Sequence, residues 1–227
     1  MKYVVVGGVA GGASTAARLR RLDEQAEIVM FEKGPHVSFS NCCLPYRLSE
    51  QVSANDELVL MSPEQFASQY NIEARVSNEV LSIDRAGKKV RVKNLLNGQE
   101  YEESYDKLIL SPGANAIIPN VKGIENANIF VVKNFVDIAK LYSFLKEKDV
   151  KKVSVVGGGF IGVEVAENLT EAGYKVSLVE AMPQILRTYD YDMVQILHKE
   201  MMDKGIDLIL GDKAVEFRGS DLALESG

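Results

Sequence analysis

The two cysteines of the chain stand next to each other, in the segment 38–46 with the sequence SFSNCCLPY. A cysteine reacts as its thiolate, which forms at helix N-termini or beside cationic or electrophilic groups. Pro45 suits the first turn of a helix, and a helix that begins there would place Cys42 near the positive end of its dipole. Cys42 is therefore the candidate nucleophile. The alternative is that Cys42 and Cys43 are two buried core residues, although the neighbouring Ser, Asn and Pro favour a loop.

A glycine-rich turn precedes this segment, and the elements around it predict a nucleotide site. Lys2–Val6 and Ala26–Glu32 are predicted strands, and Ala13–Leu22 is a predicted helix. In such a βαβ unit the glycines allow a tight turn and a close helix–strand approach, and the helix N-terminus faces a pyrophosphate. Glu32 can bind an adenosine ribose. Because Val9 replaces the usual middle glycine, the alternative is a turn that binds no nucleotide. The candidate cofactor residues are Gly7, Gly8, Ala10, Gly11, Gly12, Glu32 and Lys33.

The same pattern returns in the second half of the chain, with a complete GxGxxG sequence. Lys152–Val156 and Lys175–Glu180 are predicted strands, and Val163–Ala172 is the helix between them. Glu180 can bind a ribose 2′-hydroxyl and would repel a 2′-phosphate, which favours NADH over NADPH. Arg187 lies nearby and leaves NADPH as the less favoured alternative. The candidate residues are Gly157, Gly159, Phe160, Ile161, Gly162 and Glu180.

These elements predict an α/β fold with two Rossmann-like dinucleotide-binding units on parallel sheets. A small antiparallel hairpin is predicted as well, because Lys89–Leu96 and Gln99–Ser104 flank Asn97-Gly98, the dipeptide typical of a type I′ turn. Further helices are predicted to begin at Ser62-Pro63 and to cover Asn134–Glu147.

Composition narrows the function classes. The 227 residues carry a net charge of −6 without a basic block, which speaks against a nucleic-acid partner. No apolar segment of the sequence has the length of a membrane span, so no membrane role is expected. Two adjacent cysteines cannot build a disulfide framework and fit a reducing, cytoplasmic setting. No metal site is expected.

The sequences GGVAGG at 7–12, SFSNC at 38–42 and LPY at 44–46 resemble the coenzyme A disulfide reductases, which are single-cysteine members of the pyridine nucleotide-disulfide oxidoreductases. The resemblance covers essentially the whole chain. It implies an FAD site in the first unit, an NAD site in the second and a catalytic role for Cys42. Cys43 stands where relatives have Gly or Ala, so its role is open. Ala10 stands where related NADH oxidases and peroxidases have a histidine, which favours disulfide or persulfide chemistry.

The resemblance also implies further site residues and the organisation of the chain. An FAD-binding domain is expected at 1–112 and an NAD(P)-binding domain at 113–227, both incomplete, in the N-terminal portion of an enzyme that is a homodimer at full length. The residues that it places at coenzyme A are Ser14, Arg18, Arg21, Ser38 and Asn41, and those that it adds at the flavin site are Val80, Ser111 and Gly113. It also places Glu164 near the nicotinamide and the flavin, with a plain polar residue on a helix face as the alternative. For the two arginines the alternative is a solvated basic helix face.

The activity that the resemblance implies is the NADH-dependent reduction of a small-molecule disulfide or persulfide, with FAD as the intermediate carrier and Cys42 as the nucleophile. Coenzyme A disulfide, coenzyme A persulfide and polysulfide are all open as substrates. One alternative is an NADH oxidase or peroxidase that oxidises its cysteine to a sulfenic acid. The other is a fragment that binds nucleotide without turnover.

Overall fold

The computed structural model of the chain describes residues 1–126 and 128–227. The chain divides into two compact units, of which one contains residues 1–41 and 56–115 and the other residues 42–55 and 116–227. The domains 1–112 and 113–227, which the family resemblance implies, remain a prediction. Residues 42–55, which include both cysteines, pack with the second half of the chain.

The first unit is built on a parallel sheet of four strands in the order β3-β2-β1-β7. Val4 of the central strand β1 lies opposite Val29 on one side and Leu108 on the other. The elements of this part are β1 (Lys2–Val6), α1 (Ala10–Leu22), β2 (Glu27–Phe31), α2 (Pro63–Tyr70), β3 (Glu73–Arg75) and β7 (Lys107–Leu110). The order and the direction of these strands confirm the predicted Rossmann-like arrangement.

The two faces of this sheet bury different partners, because successive side chains of a strand point to opposite sides. Val5 and Met30 pack with Phe66 of α2 on the helical side, whereas Val4 packs with Val90 on the other. Val90 belongs to an antiparallel sheet of three strands, β4 (Asn78–Asp84), β5 (Lys89–Asn94) and β6 (Glu100–Ser104). The first unit therefore has three layers.

The turn between β5 and β6 is not the predicted type I′ turn. That turn needs positive φ at both central residues, and Gly98 has φ +76° whereas Asn97 does not have a positive φ. The loop is longer, because the Gly98 N–H donates to the Asn94 carbonyl at 2.8 Å. The Asn94 side chain accepts from the N–H of Leu96 at 2.9 Å and of Asn97 at 3.3 Å. This Asx-type turn satisfies the loop backbone without a second left-handed residue.

The second unit contains a parallel sheet in the order β10-β9-β8 and an antiparallel pair β11-β12. Its first three strands have the same relative order as those of the first unit. The elements are α3 (Phe135–Glu147), β8 (Lys152–Val156), α4 (Phe160–Glu171), β9 (Lys175–Glu180), α5 (Tyr191–Asp203), β10 (Asp207–Leu210), β11 (Ala214–Arg218) and β12 (Asp221–Leu224). Short 3₁₀ helices cover Pro45–Arg47, Asn55–Leu58 and Ile124–Asn126.

Helices α1 and α4 begin three residues earlier than the sequence predicts, at Ala10 and Phe160. The sequence pattern assigns the glycines to a turn, since glycine is a poor helix former. In the structure, Gly12 and Gly162 lie in the first helical turn. A Cβ on either would overlap a carbonyl oxygen of the preceding loop, that of Gly7 or Gly157. Close packing of the helix on the loop therefore overrides helix propensity.

Across the described residues, no helix combines the length and the apolar character that a membrane crossing requires.

Candidate nucleotide and thiol sites

The first glycine loop is held by the acidic residue that ends the second strand. The Gly7 N–H donates to the Phe31 carbonyl at 2.8 Å, and Gly7 itself has φ +97°, which favours glycine. One oxygen of Glu32 accepts from the Gly8 N–H at 2.8 Å, and the other accepts from the Gly34 N–H at 2.8 Å. Glu32 therefore fixes the loop in addition to being a candidate ribose ligand.

Ser111 lies directly against this loop. A Cβ on Gly7 would overlap the Ser111 carbonyl oxygen, and a Cβ on Gly11 would stand 2.5 Å from the Ser111 hydroxyl oxygen. Ser111 follows β7, the neighbour of β1 in the sheet, so both segments meet at the carboxyl edge of the parallel strands. The structure thus brings the predicted residues Gly7, Gly11 and Ser111 together.

A cavity of about 250 Å³ opens at this edge of the first unit. The predicted site residues that line it are Gly7, Glu32, Lys33, Val80 and Gly113. Gly8, Ala10, Gly11, Gly12 and Ser111 are not among its lining residues and belong to the turn and the helix start beside it. The carboxyl edge of a doubly wound parallel sheet is the usual place for a nucleotide.

Sequence reasoning missed part of the cavity wall. Asn78 and Asn115 line the cavity although they belong to no glycine motif. Asn78 is buried, its amide donates to the Val76 carbonyl at 2.8 Å, and its oxygen accepts from the Tyr101 hydroxyl at 2.8 Å. The Asn115 oxygen accepts from Lys33 Nζ at 3.3 Å. A turn-forming Asn after Pro112-Gly113 was a weak signal for the second residue, and the first offered none.

The second glycine loop repeats the hydrogen bonds of the first. Gly157 has φ +108°, and its N–H donates to the Val179 carbonyl at 2.8 Å. One oxygen of Glu180 accepts from the Gly158 N–H at 2.6 Å, and the other accepts from the Met182 N–H at 2.8 Å. The glycine loops of the two units are therefore held by the same pattern of hydrogen bonds to a glutamate.

Each glycine loop also accepts a backbone hydrogen bond from the segment that follows its glutamate. The Ser38 N–H donates to the Gly8 carbonyl at 2.8 Å, and the Leu186 N–H donates to the Gly158 carbonyl at 2.7 Å. Ser38 and Leu186 each have a positive φ, at 48° and 45°. Such a conformation is uncommon for a residue with a side chain, and both units adopt it at the equivalent position.

Helix α4 presents apolar side chains beside the second loop. Phe160 and Ile161 in its first turn are 55% and 53% exposed, and the Phe160 ring meets Tyr189 edge-on at 6.0 Å. Glu164, one turn further, is half-buried. The predicted residues Gly157, Gly159, Phe160, Ile161, Gly162 and Glu164 thus lie in one continuous segment at the start of α4, with Glu180 bonded to its loop.

His198 is a further residue of this region that the sequence did not indicate. It is buried on α5, where its Nε2 accepts from the Ile185 N–H at 3.3 Å and its Nδ1 lies 3.3 Å from the Gln195 oxygen. Ile185 in turn lies against Gly158, since a Cβ there would stand 2.7 Å from Ile185 Cγ2. Burial lowers the pKa of His198, which favours the neutral ring that this acceptor role requires.

The cysteines lie in a turn at the start of residues 42–55. Cys42 is exposed, Cys43 is half-buried, and neither forms a disulfide within the described part of the chain. Pro45 does begin a helix, but it is a 3₁₀ helix of three residues, Pro45–Arg47. So short a helix has no appreciable dipole, because the dipole is a sum over aligned peptides. The predicted activation of Cys42 by a helix dipole is therefore wrong.

The residues expected at coenzyme A fall into two groups. Ser14, Arg18 and Arg21 are exposed and share one face of α1. Ser38 and Asn41 belong to the segment that leads to Cys42, and Ser38 is hydrogen-bonded to the first glycine loop that precedes α1. Whether these residues bind coenzyme A remains a prediction.

Residues 1–226 match the family model of the pyridine nucleotide-disulphide oxidoreductases. The chain belongs to this family. The predicted family and fold class are thereby confirmed.

Relatives within the pyridine nucleotide-disulphide oxidoreductases share the whole length of this chain. The chain is 38% identical over 226 residues to a coenzyme A disulfide reductase of Staphylococcus aureus, covering 100% of this chain and 51% of the relative. It therefore spans about half the length of the curated relatives that it matches.

Two solved structures of family members show the same fold. Reduced Bacillus anthracis CoADR-RHD superposes with a TM-score of 0.97 at 41% identity, over 100% of this chain and 41% of that one. The NADH-bound water-forming NADH oxidase of Lactobacillus brevis superposes with a TM-score of 0.91 at 29% identity, over 100% and 51% of the two chains.

Proposed function

We propose that this chain is part of an FAD-dependent, NADH-using reductase of a small-molecule disulfide or persulfide, with Cys42 as the nucleophile. The observation that carries the proposal is the exposed Cys42 thiol in a family member with two glycine loops, each held by a glutamate. The similarity to coenzyme A disulfide reductase supports coenzyme A disulfide, coenzyme A persulfide or polysulfide as the substrate.

The residues of the first unit fit an FAD molecule. Its cavity opens beside a glycine loop that leads into the N-terminus of α1, where backbone N–H groups can bind a pyrophosphate. Gly7 and Gly11 allow this loop to pack closely against Ser111. The residues proposed to hold the cofactor are Gly7, Gly8, Ala10, Gly11, Gly12, Glu32, Lys33, Val80, Ser111 and Gly113. When bound, FAD would supply the electron pair that cleaves a sulfur–sulfur bond at Cys42.

The second unit is proposed to bind NADH. Glu180 keeps lone pairs beyond those used by Gly158 and Met182, and these can accept a ribose 2′-hydroxyl. Its charge would oppose a 2′-phosphate, which makes NADPH the poorer ligand. The other residues proposed here are Gly157, Gly159, Phe160, Ile161, Gly162 and Glu164.

Cys42 performs the chemistry that belongs to the chain itself. Its thiolate attacks one sulfur of the substrate, a new S–S bond forms to Cys42, and the old S–S bond breaks. The other half of the substrate leaves as a thiolate and takes up a proton. Cys42 is exposed, so a substrate sulfur can reach its thiolate.

Coenzyme A would be recognised by charge and hydrogen bonds before this attack. Arg18 and Arg21 are exposed on one face of α1 and can pair with phosphate groups. Ser14 on the same face, and Ser38 and Asn41 in the segment before Cys42, complete the proposed set of coenzyme A ligands.

For the complete protein we expect a cytoplasmic homodimer. In each subunit, residues 1–112 would bind the flavin and residues 113–227 the pyridine nucleotide.

The experiment tests the attack of Cys42 on coenzyme A disulfide, a half-reaction that needs no flavin. The chain is incubated with coenzyme A disulfide, and intact mass, peptide mapping and released thiol are measured. We expect one coenzyme A adduct on Cys42 and one equivalent of released thiol. Cys42→Ser should abolish both, and the matched Cys43→Ser should preserve both. An adduct on Cys43, or none in a folded chain, would contradict the proposal.

An NADH oxidase or peroxidase is the second candidate, supported by the similarity to the Lactobacillus brevis NADH oxidase. In that case peroxide would oxidise the Cys42 thiolate to a sulfenic acid with release of water, and two electrons supplied by NADH through FAD would reduce the sulfenic acid to the thiolate with release of a second water. Trapping with dimedone after peroxide treatment separates the two. Rapid dimedone labelling of Cys42 without reaction towards coenzyme A disulfide would favour the oxidase.

A further inference from the structure

We propose that Tyr142 on α3 and Asn168 on α4 are positioning residues that make Cys42, rather than the adjacent Cys43, the presented thiol. The inference rests on the proposed role of Cys42 as the nucleophile. It concerns residues 42–55, here called the cysteine segment, which pack with the second half of the chain within one compact unit.

Asn168 anchors the cysteine segment to α4. Its side chain is 1% exposed, and its oxygen accepts from the Ser49 hydroxyl at 2.6 Å while its amide donates to the Glu164 carbonyl at 2.8 Å. One turn further along the helix, Glu171 accepts from the Gln51 amide at 2.7 Å. A buried amide in such a contact is costly to leave unpaired, so it holds Ser49 in place.

Tyr142 anchors the same segment to α3 at two points. The Arg47 guanidinium stacks on its ring at 3.5 Å from the centroid, and its hydroxyl donates to the Glu50 carboxylate at 2.7 Å. Lys146, one turn later on α3, contacts the same carboxylate at 2.7 Å. The hydrogen bonds from Lys146 and Tyr142 lower the pKa of Glu50, so the carboxylate stays charged in this contact.

Arg47 stabilises the cysteine segment by hydrogen bonds within it. This side chain is buried, and its guanidinium donates to the Asn55 oxygen at 2.8 Å and to the Val52 carbonyl at 3.4 Å. Glu50 has φ +62°, a left-handed conformation that is unfavourable for a residue with a side chain. The contacts to α3 hold Glu50 in this conformation, and without them the segment would relax.

The anchors act on the cysteines through a short and buried connection. Leu44 and Pro45, which follow Cys43 directly, are both buried. The turn before them exposes Cys42 and keeps Cys43 half-buried. If the anchors release the segment, this turn loses its fixed orientation and Cys43 becomes accessible. The anchors therefore decide which of two adjacent thiols meets the substrate.

The experiment measures the selectivity of alkylation. The native chain is treated with iodoacetamide under pseudo-first-order conditions, and fragment ions of the peptide are used to quantify the labelling rates of Cys42 and Cys43 separately. In the wild-type chain we expect faster labelling of Cys42. In Tyr142→Leu and in Asn168→Ala we expect the ratio of Cys43 to Cys42 labelling to rise about tenfold, the effect of one lost anchoring contact on local opening.

Conservative variants and matched controls make the result specific. Tyr142→Phe keeps the ring under Arg47 and removes only the hydroxyl, so its ratio should rise less than that of Tyr142→Leu. Ser49→Ala should raise the ratio, and Ser49→Thr should restore it. Lys140→Ala on α3 and Glu167→Ala on α4 are exposed positions of the same helices and should leave the ratio unchanged.

Hydrogen exchange of β8 and β9 shows whether Tyr142→Leu and Asn168→Ala are folded. If both are folded and the ratio of Cys43 to Cys42 labelling stays at the wild-type value, the inference is overturned. If either variant fails to fold, Tyr142→Phe and Ser49→Ala decide, since they preserve volume closely. Equal changes in the controls would also overturn it. The proposed function fails by a different result, the absence of a coenzyme A adduct on Cys42 in the wild-type chain.

Discussion

The N–H of Gly158 donates a hydrogen bond of 2.6 Å to the carboxylate of Glu180. This glutamate holds the glycine loop, and in the proposed function its remaining lone pairs accept a hydrogen bond from a ribose. Gly8 and Glu32 repeat the relationship at 2.8 Å in the first unit. The repetition makes each unit the natural control for the other.

Replacing Glu180 should change the choice of pyridine nucleotide. Glu180→Gln keeps one acceptor oxygen and removes the charge that opposes a 2′-phosphate, so we expect the preference for NADH over NADPH to fall about tenfold, as the loss of one charge-assisted contact. Fluorescence titrations with both nucleotides measure the ratio of dissociation constants. Glu32→Gln loosens the first loop in the same way and should leave this ratio unchanged; an equal change in both variants would contradict the assignment of the second unit to NADH.

Gly162 should tolerate no side chain. A Cβ there would overlap the Gly157 carbonyl oxygen, so Gly162→Ala is expected to lower the free energy of unfolding by about 3 kcal/mol and to abolish NADH binding. Urea denaturation monitored by circular dichroism measures the first effect. In Gly159→Ala the new Cβ meets no described atom within 4 Å, and the stability of the nucleotide-free chain should stay within about 0.5 kcal/mol of the wild type.

Acidification should weaken the chain through His198. Burial holds the pKa of this histidine below its ordinary value, so the unfolded chain takes up a proton that the folded chain resists. The contribution is fully present above the unfolded pKa of about 6.5 and is lost as pH falls through the lower folded pKa. His198→Gln retains an acceptor for the Ile185 N–H and should flatten the dependence of unfolding free energy on pH, measured by urea denaturation between about pH 5 and 8. An unchanged slope would show that His198 is not the responsible group.

Arg20 should matter for stability rather than for ligand binding. Its buried guanidinium donates to four backbone carbonyls, those of Asp23, Glu24, Tyr70 and Asn71, and so joins the ends of α1 and α2. Arg20→Met removes these four hydrogen bonds and should cost about 3 kcal/mol of unfolding free energy. Arg21→Met, on the exposed face of the same helix, should change the unfolding free energy by less than about 0.5 kcal/mol in the same denaturation experiment.

The exposed arginines of α1 should instead affect the binding of coenzyme A. In the double variant Arg18→Ala, Arg21→Ala we expect coenzyme A to bind at least about tenfold more weakly, since two charge-assisted phosphate contacts are lost. Isothermal titration calorimetry with coenzyme A measures the affinity. The rate at which Cys42 reacts with a small disulfide without phosphates should not change. Unaltered affinity for coenzyme A would support the view of these residues as a solvated basic face.

Most of the fold could be predicted because its signals are local. The strands Lys2–Val6 and Lys152–Val156 are short β-branched runs, and the glycines of each loop lie within six consecutive residues. The errors lie where packing competes with propensity. Gly12 and Gly162 are typical turn residues but lie in helices. Asn97-Gly98 is typical of a type I′ turn, but the Asn94 side chain accepts the loop's backbone hydrogen bonds and a different turn forms.

The candidate sites could be predicted only in part from the sequence. Residue identity and short spacing were enough to give the family and the two glycine loops with Glu32 and Glu180, and they single out Cys42 as the proposed nucleophile.

The residues around these loops follow from long-range packing. Asn78 and Asn115 enter the cavity wall, His198 reaches Ile185, and Asn168 holds Ser49 across 119 positions of sequence. Contacts of this kind form when distant segments are packed against each other, and the partner that a buried polar group finds there is set by the folded neighbours rather than by its own sequence context.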